Sequence, residues 1–154
     1  MNKRTRLNYF RCEFEARSVN EGFSRMLVSA FASQLDPTIE EICDIKTAVS
    51  EAVTNCIVHA YGDDRTEKRT ISISGSYYSD GLFVIRIKDK GCGIDNIEQA
   101  MQPMYSGSSS EERSGMGFSI MESFTDSLKV RSSPGRGTVV TMKKYIGNAD
   151  GKDE

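Results

Sequence analysis

The chain predicts an α+β fold: a two-layer sandwich of one mostly antiparallel sheet with helices on one face. The segments run strand, helix, helix, strand, strand, helix, strand, strand. The apolar period changes from two in NYFRCEFEA to three and four in the segment after it. Short turn sequences, Ser79-Asp80-Gly81 and Pro134-Gly135-Arg136-Gly137, join consecutive strands and make those pairs antiparallel.

Residues 8 to 16 alternate aromatic residues or Cys with polar ones and read as the first strand. Ser18 and Glu21 form an S-x-x-E capping box for a first helix, whose apolar positions Phe23, Met26, Leu27, Ala30 and Phe31 point inward. Asp36-Pro37 ends it. Thr38 and Glu41 form a second capping box, and the helix that follows runs to a break at Tyr61-Gly62-Asp63-Asp64. Strands come next at 69 to 79 and 81 to 90, then a short helix near 96 to 101. MYSGSSSEERSG has almost nothing to bury and reads as a mobile loop. A helix beginning at Gly115 to Gly117 and strands at about 126 to 133 and 137 to 145 complete one domain over residues 1–146, with a disordered tail at 147–154.

At 154 residues the chain holds one core comfortably. Its formal net charge of -2 offers no basic field for nucleic acid. The four cysteines are scattered and share a single histidine, which disfavours structural zinc; three of them sit among apolar neighbours and read as reduced thiols. No apolar run reaches the roughly 18 residues of a membrane span, and MNKRTR leads into charged residues rather than a signal core. A reducing cytoplasm is the expected setting.

Three stretches could carry chemistry. SEAVTNCIVHAY, residues 50 to 61, spaces Glu51, Asn55 and His59 four apart, which on a helix stacks them on one face. Asn55 offers a hard oxygen of the kind Mg²⁺ accepts, and Glu51 could take the proton of an attacking hydroxyl; the same residues would also make an ordinary solvated face. His59 reads as a capping or structural histidine. DKGCGI, Asp89 to Ile94, has glycines that admit a flat ligand and a carboxylate that could accept from an exocyclic amine, yet would equally serve as a strand-exit turn. ERSGMGF, Glu112 to Phe118, leads glycines into a helix N-terminus, a site for phosphate or simply a flexible start.

Their order along the chain narrows these choices. E-x-x-x-N on a helix, D-x-G-x-G after a strand, G-x-G before a helix, and Gly137-Thr138 in a closing strand resemble the signature of the GHKL ATPase and kinase family, the Bergerat fold. NEGFSRMLVSAFASQLDPTIEE, IKTAVSEAVTNCIVHAYG and SSPGRGTVV further resemble the anti-sigma-F factors of spore-forming bacteria, serine kinases that also bind a sigma factor. The likeness covers roughly residues 8 to 145.

The resemblance implies ATP and Mg²⁺ as ligands. It makes Glu51 the catalytic base, Asn55 the Mg²⁺ ligand, Asp89 the adenine contact with Gly91 and Gly93 beside it, and Thr138 a helper at the base. It makes the loop a mobile ATP lid in which Gly115 and Gly117 donate to phosphate and Arg113 reaches the γ-phosphate. Arg25 would lie on a surface shared by sigma factor F and a small anti-anti-sigma factor, the protein substrate, on a kinase homodimer in the cytoplasm. Two departures stand out: MYSGSSSEE replaces the family's Thr, Lys and Pro-containing lid, and Lys90 stands where an acidic residue is usual. A stress-response anti-sigma kinase, or a nucleotide-gated sigma-binding module without catalysis, are the rival readings. A sensor histidine kinase would need a phospho-accepting histidine on a separate hairpin, and the larger ATPases of this fold need further domains.

Overall fold

The structure is a computed structural model and describes residues 3–61, 69–102 and 117–147. Five strands form one sheet in the order β1-β2-β3-β5-β4, every neighbouring pair antiparallel. They are β1 (Arg6–Glu15), β2 (Thr70–Tyr78), β3 (Leu82–Asp89), β4 (Ser127–Ser133) and β5 (Gly137–Tyr145). The helices are α1 (Val19–Ala32), α2 (Ile39–Asn55), α3 (Ile97–Ala100) and α4 (Gly117–Phe124). Mixed α and β content, the antiparallel sheet and its helical layer are as the sequence predicts.

Alternation makes the two layers. Along β2, Ile71 and Ile73 are buried while Ser72 and Ser74 lie on the other face; along β3, Ile85 and Ile87 are buried while Arg86 and Lys88 are exposed. Against the buried face α2 lays Ile45, Ala48, Val49, Ala52 and Val53, spaced at three and four. Each large apolar side chain so buried contributes about 1.5–3 kcal/mol. Phe31 of α1 packs edge-on to Phe10 at 4.6 Å between ring centres and lies near Tyr77 and Phe83, tying the first helix to three strands.

One of the two expected capping boxes forms. Thr38 and Glu41 form the expected reciprocal cap: Glu41 N–H donates to Thr38 Oγ1 at 3.1 Å, and Thr38 N–H to Glu41 Oε2 at 2.9 Å. The Ser18 box does not form. Ser18 makes no side-chain cap bond: its backbone is helical and its own carbonyl takes the Glu21 N–H at 3.2 Å, while the Glu21 carboxylate accepts from Ser50 Oγ on α2 and from Arg25. The inward face of α1 is also rotated from the expected one: Ser24, Val28, Phe31 and Ala32 are buried, while Phe23, Met26 and Ala30 are exposed. Of the three cysteines expected in apolar surroundings, Cys56 is buried, Cys12 half-buried and Cys43 exposed.

After Asn55 the helix widens into a π turn, Cys56–Ala60. Single π turns recur at functional sites, and this one abuts the loop after β3. The short helix α3 begins at Asn96, whose Oδ1 accepts from Gln99 N–H at 3.0 Å. Among the described residues no helix is long and apolar enough to cross a membrane. The segment MYSGSSSEERSG, expected to be mobile, and, apart from Gly147, the tail fall outside the described residues.

Candidate functional site

Strand pairing brings the scattered motifs to one end of the sheet. Asp89, the last residue of β3, stands opposite Ile71 of β2 on one side and Thr138 of β5 on the other. The π turn at the end of α2 closes over it. Asp89 is 4% exposed and Thr138 8%, both rare for polar side chains.

Donors surround the buried carboxylate. Gly91 N–H donates to Asp89 Oδ1 at 2.9 Å, Cys56 Sγ lies 3.5 Å from Oδ2, and the Thr138 backbone N–H also donates to it. Burial raises the pKa of Asp89, and these donors act against that rise. Burial likewise raises the Cys56 thiol, with the Asp89 charge adding to it. Tyr61 then pins the loop: its hydroxyl donates to Thr70 O at 2.6 Å and accepts from Lys90 N–H at 2.8 Å. Lys90 itself is exposed.

The glycines are needed for contact as well as for shape. A Cβ at Gly91 would overlap the carbonyl oxygen of Ala60, because the loop runs directly under the π turn. Gly93 has φ +75, where side chains are rarely found, and a Cβ there would overlap the Ser133 carbonyl oxygen. Cys92 N–H donates to Ala60 O at 2.9 Å, and Gly135 N–H to Cys92 O at 2.6 Å. Ser132 completes the closure: its Oγ accepts from Ile94 N–H at 2.7 Å, donates to Gly137 O at 3.0 Å and lies 2.8 Å from Thr138 Oγ1.

A second group of candidate residues lies on α2. Glu51 and Asn55 are half-buried and face the start of α4: a Cβ at Gly117 would stand 3.2 Å from Asn55 Nδ2, 3.3 Å from Asn55 Oδ1 and 3.4 Å from Glu51 Oε2. Thus Glu51, Asn55 and Gly117 meet, as do Asp89, Gly91, Gly93 and Thr138. His59 lies in the π turn, beyond the last α-helical residue, with an exposed side chain. Arg25 stands apart on α1, paired with Glu21 at 3.2 Å. Arg113 and Gly115 fall outside the described residues. Sequence reasoning missed Cys56, Tyr61 and Ser132; a cysteine directly after Asn55 was the one visible signal.

A broad hollow of about 1090 Å³ lies elsewhere, on the open face of the sheet, lined in part by Arg11, Arg86, Lys88, Lys129, Arg131 and Lys143. It is shallow and open and brings together neither the Asp89 loop nor the Glu51–Asn55 pair. The buried polar side chains Asp89 and Thr138 lie away from it.

An antiparallel sheet under a helical layer, with a buried aspartate in the glycine loop after β3 and a Glu and Asn pair on α2, is the arrangement of domains of the GHKL ATPase type. Residues 14–144 match the histidine kinase-like ATPase domain family. An anti-sigma F factor of Caldanaerobacter subterraneus subsp. tengcongensis is 52% identical over 140 residues, covering 91% of this chain and 95% of the relative. One from Clostridium perfringens is 53% identical over 139 residues, covering 90% and 97%. The chain belongs to the anti-sigma F factor family. The solved RsbU and RsbW domains of a Mycobacterium tuberculosis protein share the fold at TM-score 0.67 and 17% identity, across 91% of this chain and 33% of that one. A blue-light activated histidine kinase of Erythrobacter litoralis shares it at TM-score 0.56 and 22% identity, across 72% and 32%.

Proposed function

We propose that this chain is an anti-sigma factor and protein-serine kinase: it binds and inhibits sigma factor F, and uses Mg-ATP to phosphorylate a serine of an anti-anti-sigma factor. The observation that carries the reading is the meeting of Glu51 and Asn55 of α2 with the start of α4, in a chain 52% identical to anti-sigma F factors.

Asp89 accepts the exocyclic amine of adenine, Gly91 and Gly93 let the backbone lie against the base, and Thr138 helps from β5. The triphosphate then runs toward the start of α4, where Gly117 and, from the lid, Gly115 donate backbone N–H groups. Asn55 Oδ1 is a hard donor suited to Mg²⁺, with Glu51 one turn away on the same helix. The metal, when bound, offsets phosphate charge. Glu51 takes the proton of the substrate serine as its Oγ bonds to the γ-phosphorus and the bond to the β-phosphate oxygen breaks, leaving ADP. Arg113 offsets charge developing on the transferred group.

Partner binding falls on α1. Arg25 is 43% exposed, and elsewhere on the helix Val19, Phe23 and Met26 are exposed apolar side chains of the sort that proteins dock on. We infer that sigma factor F and the anti-anti-sigma factor share this surface on a cytoplasmic homodimer, with residues 1–146 acting as one domain. The test is purified protein with Mg-ATP and the cognate anti-anti-sigma factor: phosphoserine on the acceptor is expected. Nucleotide-dependent sigma binding with no transfer would leave a pure binding module.

A further inference from the structure

One donor to Asp89 belongs to none of the motifs. Cys56 follows Asn55 and is 4% exposed, with its Sγ 3.5 Å from Asp89 Oδ2. A thiol with an ordinary pKa of about 8.5 keeps its proton at neutral pH, so sulfur donates and the carboxylate accepts. Gly91 N–H meanwhile occupies Oδ1. Held at both oxygens, the carboxylate has its plane set before any ligand arrives. An ionised carboxylate oxygen has lone pairs enough for a second donor, so Oδ2 can accept from Cys56 and from a ligand together.

We propose that Cys56 is a positioning residue for base recognition: by donating to Asp89 Oδ2 it aims the carboxylate at a purine 6-amino group, and so sets the preference for adenine over 6-oxopurine nucleotides. This rests on the reading of Asp89 as the adenine contact. The chemistry is asymmetric. A 6-amino group donates to the carboxylate, whereas a 6-oxo group turns a lone pair toward it and leaves the buried anion unpaired. A carboxylate free to swing loses part of the first interaction and gains nothing with the second. The preference for amino over oxo therefore reports how well Asp89 is held, and general loosening of the fold would weaken both nucleotides alike.

The experiment is calorimetric titration of the full chain with ATP and with inosine triphosphate, for wild type, Cys56→Val, Cys56→Ala and Cys56→Ser, with a thermal melt of each. Valine removes the donor with a slightly larger apolar side chain, alanine removes the donor without adding bulk, and serine restores a donor. We expect wild type to favour ATP, the valine and alanine variants to lose about threefold to tenfold of that preference through weaker ATP binding alone, and serine to retain it. An unchanged ratio in both donorless variants, or equal losses for the two nucleotides, overturns the role of Cys56. A wild type indifferent to the 6-substituent instead overturns the Asp89 reading on which it rests.

Discussion

The two groups of candidate site residues are built by different means. Around Asp89 the backbone itself forms the wall: Gly91 lies against the Ala60 carbonyl, Gly93 against that of Ser133, and the carboxylate is nearly sealed from solvent. At Glu51 and Asn55, half-buried side chains on one face of α2 meet the start of α4. The first group depends on shape and the second on chemical function. Substitution at the first should therefore cost fold and ligand together, and at the second should cost chemistry while sparing the fold.

The largest expected effect is Gly91→Ala. Its Cβ would meet backbone, which has little room to yield, so overpacking should cost about 1–3 kcal/mol of stability and abolish measurable nucleotide binding. A melt and an ATP titration together check this, and a stable variant that still binds would break the distinction between the two groups. Asn55→Ala should do the reverse. The melting temperature should hold or rise slightly, since alanine is the better helix former, while Mg-dependent ATP affinity falls about tenfold to a hundredfold. Titration with and without the metal sharpens the contrast.

A smaller effect is expected from pH. Burial raises the pKa of Asp89 in the folded state, so its protonated form favours folding. The stability it contributes is present at low pH and is lost as pH rises through the raised pKa. ATP needs the anion, so affinity should climb across the window in which stability declines. ATP titrations and melts between about pH 4 and pH 7, with Asp89→Asn as the reference, check the opposed signs. Tyr61→Phe should be milder still. It removes the bonds to Thr70 and Lys90 and should cost about 1–3 kcal/mol if Lys90 N–H is left unpaired, visible as a lower melting temperature with Glu51 chemistry unchanged.

Most of the architecture was legible because it is written locally. The strand and helix periods, the Asp36-Pro37 stop, the Thr38 cap and the turn at Ser79-Asp80-Gly81 each depend on residues a few positions apart, and the strands lie within a residue or two of their expected places, while α1 and α2 end at Ala32 and Asn55 and continue as non-α turns toward their expected stops. What was missed depends on distant partners. The Ser18 box has the right spelling, but the Ser18 backbone is helical and the Glu21 carboxylate accepts from Ser50, 29 residues away. The inward face of α1, Ser24, Val28, Phe31 and Ala32, leaves Phe23 and Met26 exposed. Cys56 and Asp89 are 33 residues apart, and only the pairing of β3 beneath the π turn makes them neighbours. Ser132 looks like any polar strand residue until β4 and β5 close beside the Asp89 loop.

The direct test of kinase chemistry at the Glu51 and Asn55 group is single-turnover transfer from bound ATP to the serine of the anti-anti-sigma factor by Glu51→Gln. The amide keeps the size of the side chain and cannot accept the proton, so ATP should bind as in wild type while transfer falls by about 10²- to 10⁴-fold. Transfer at the wild-type rate from equally bound ATP would contradict the assignment of Glu51 as the base.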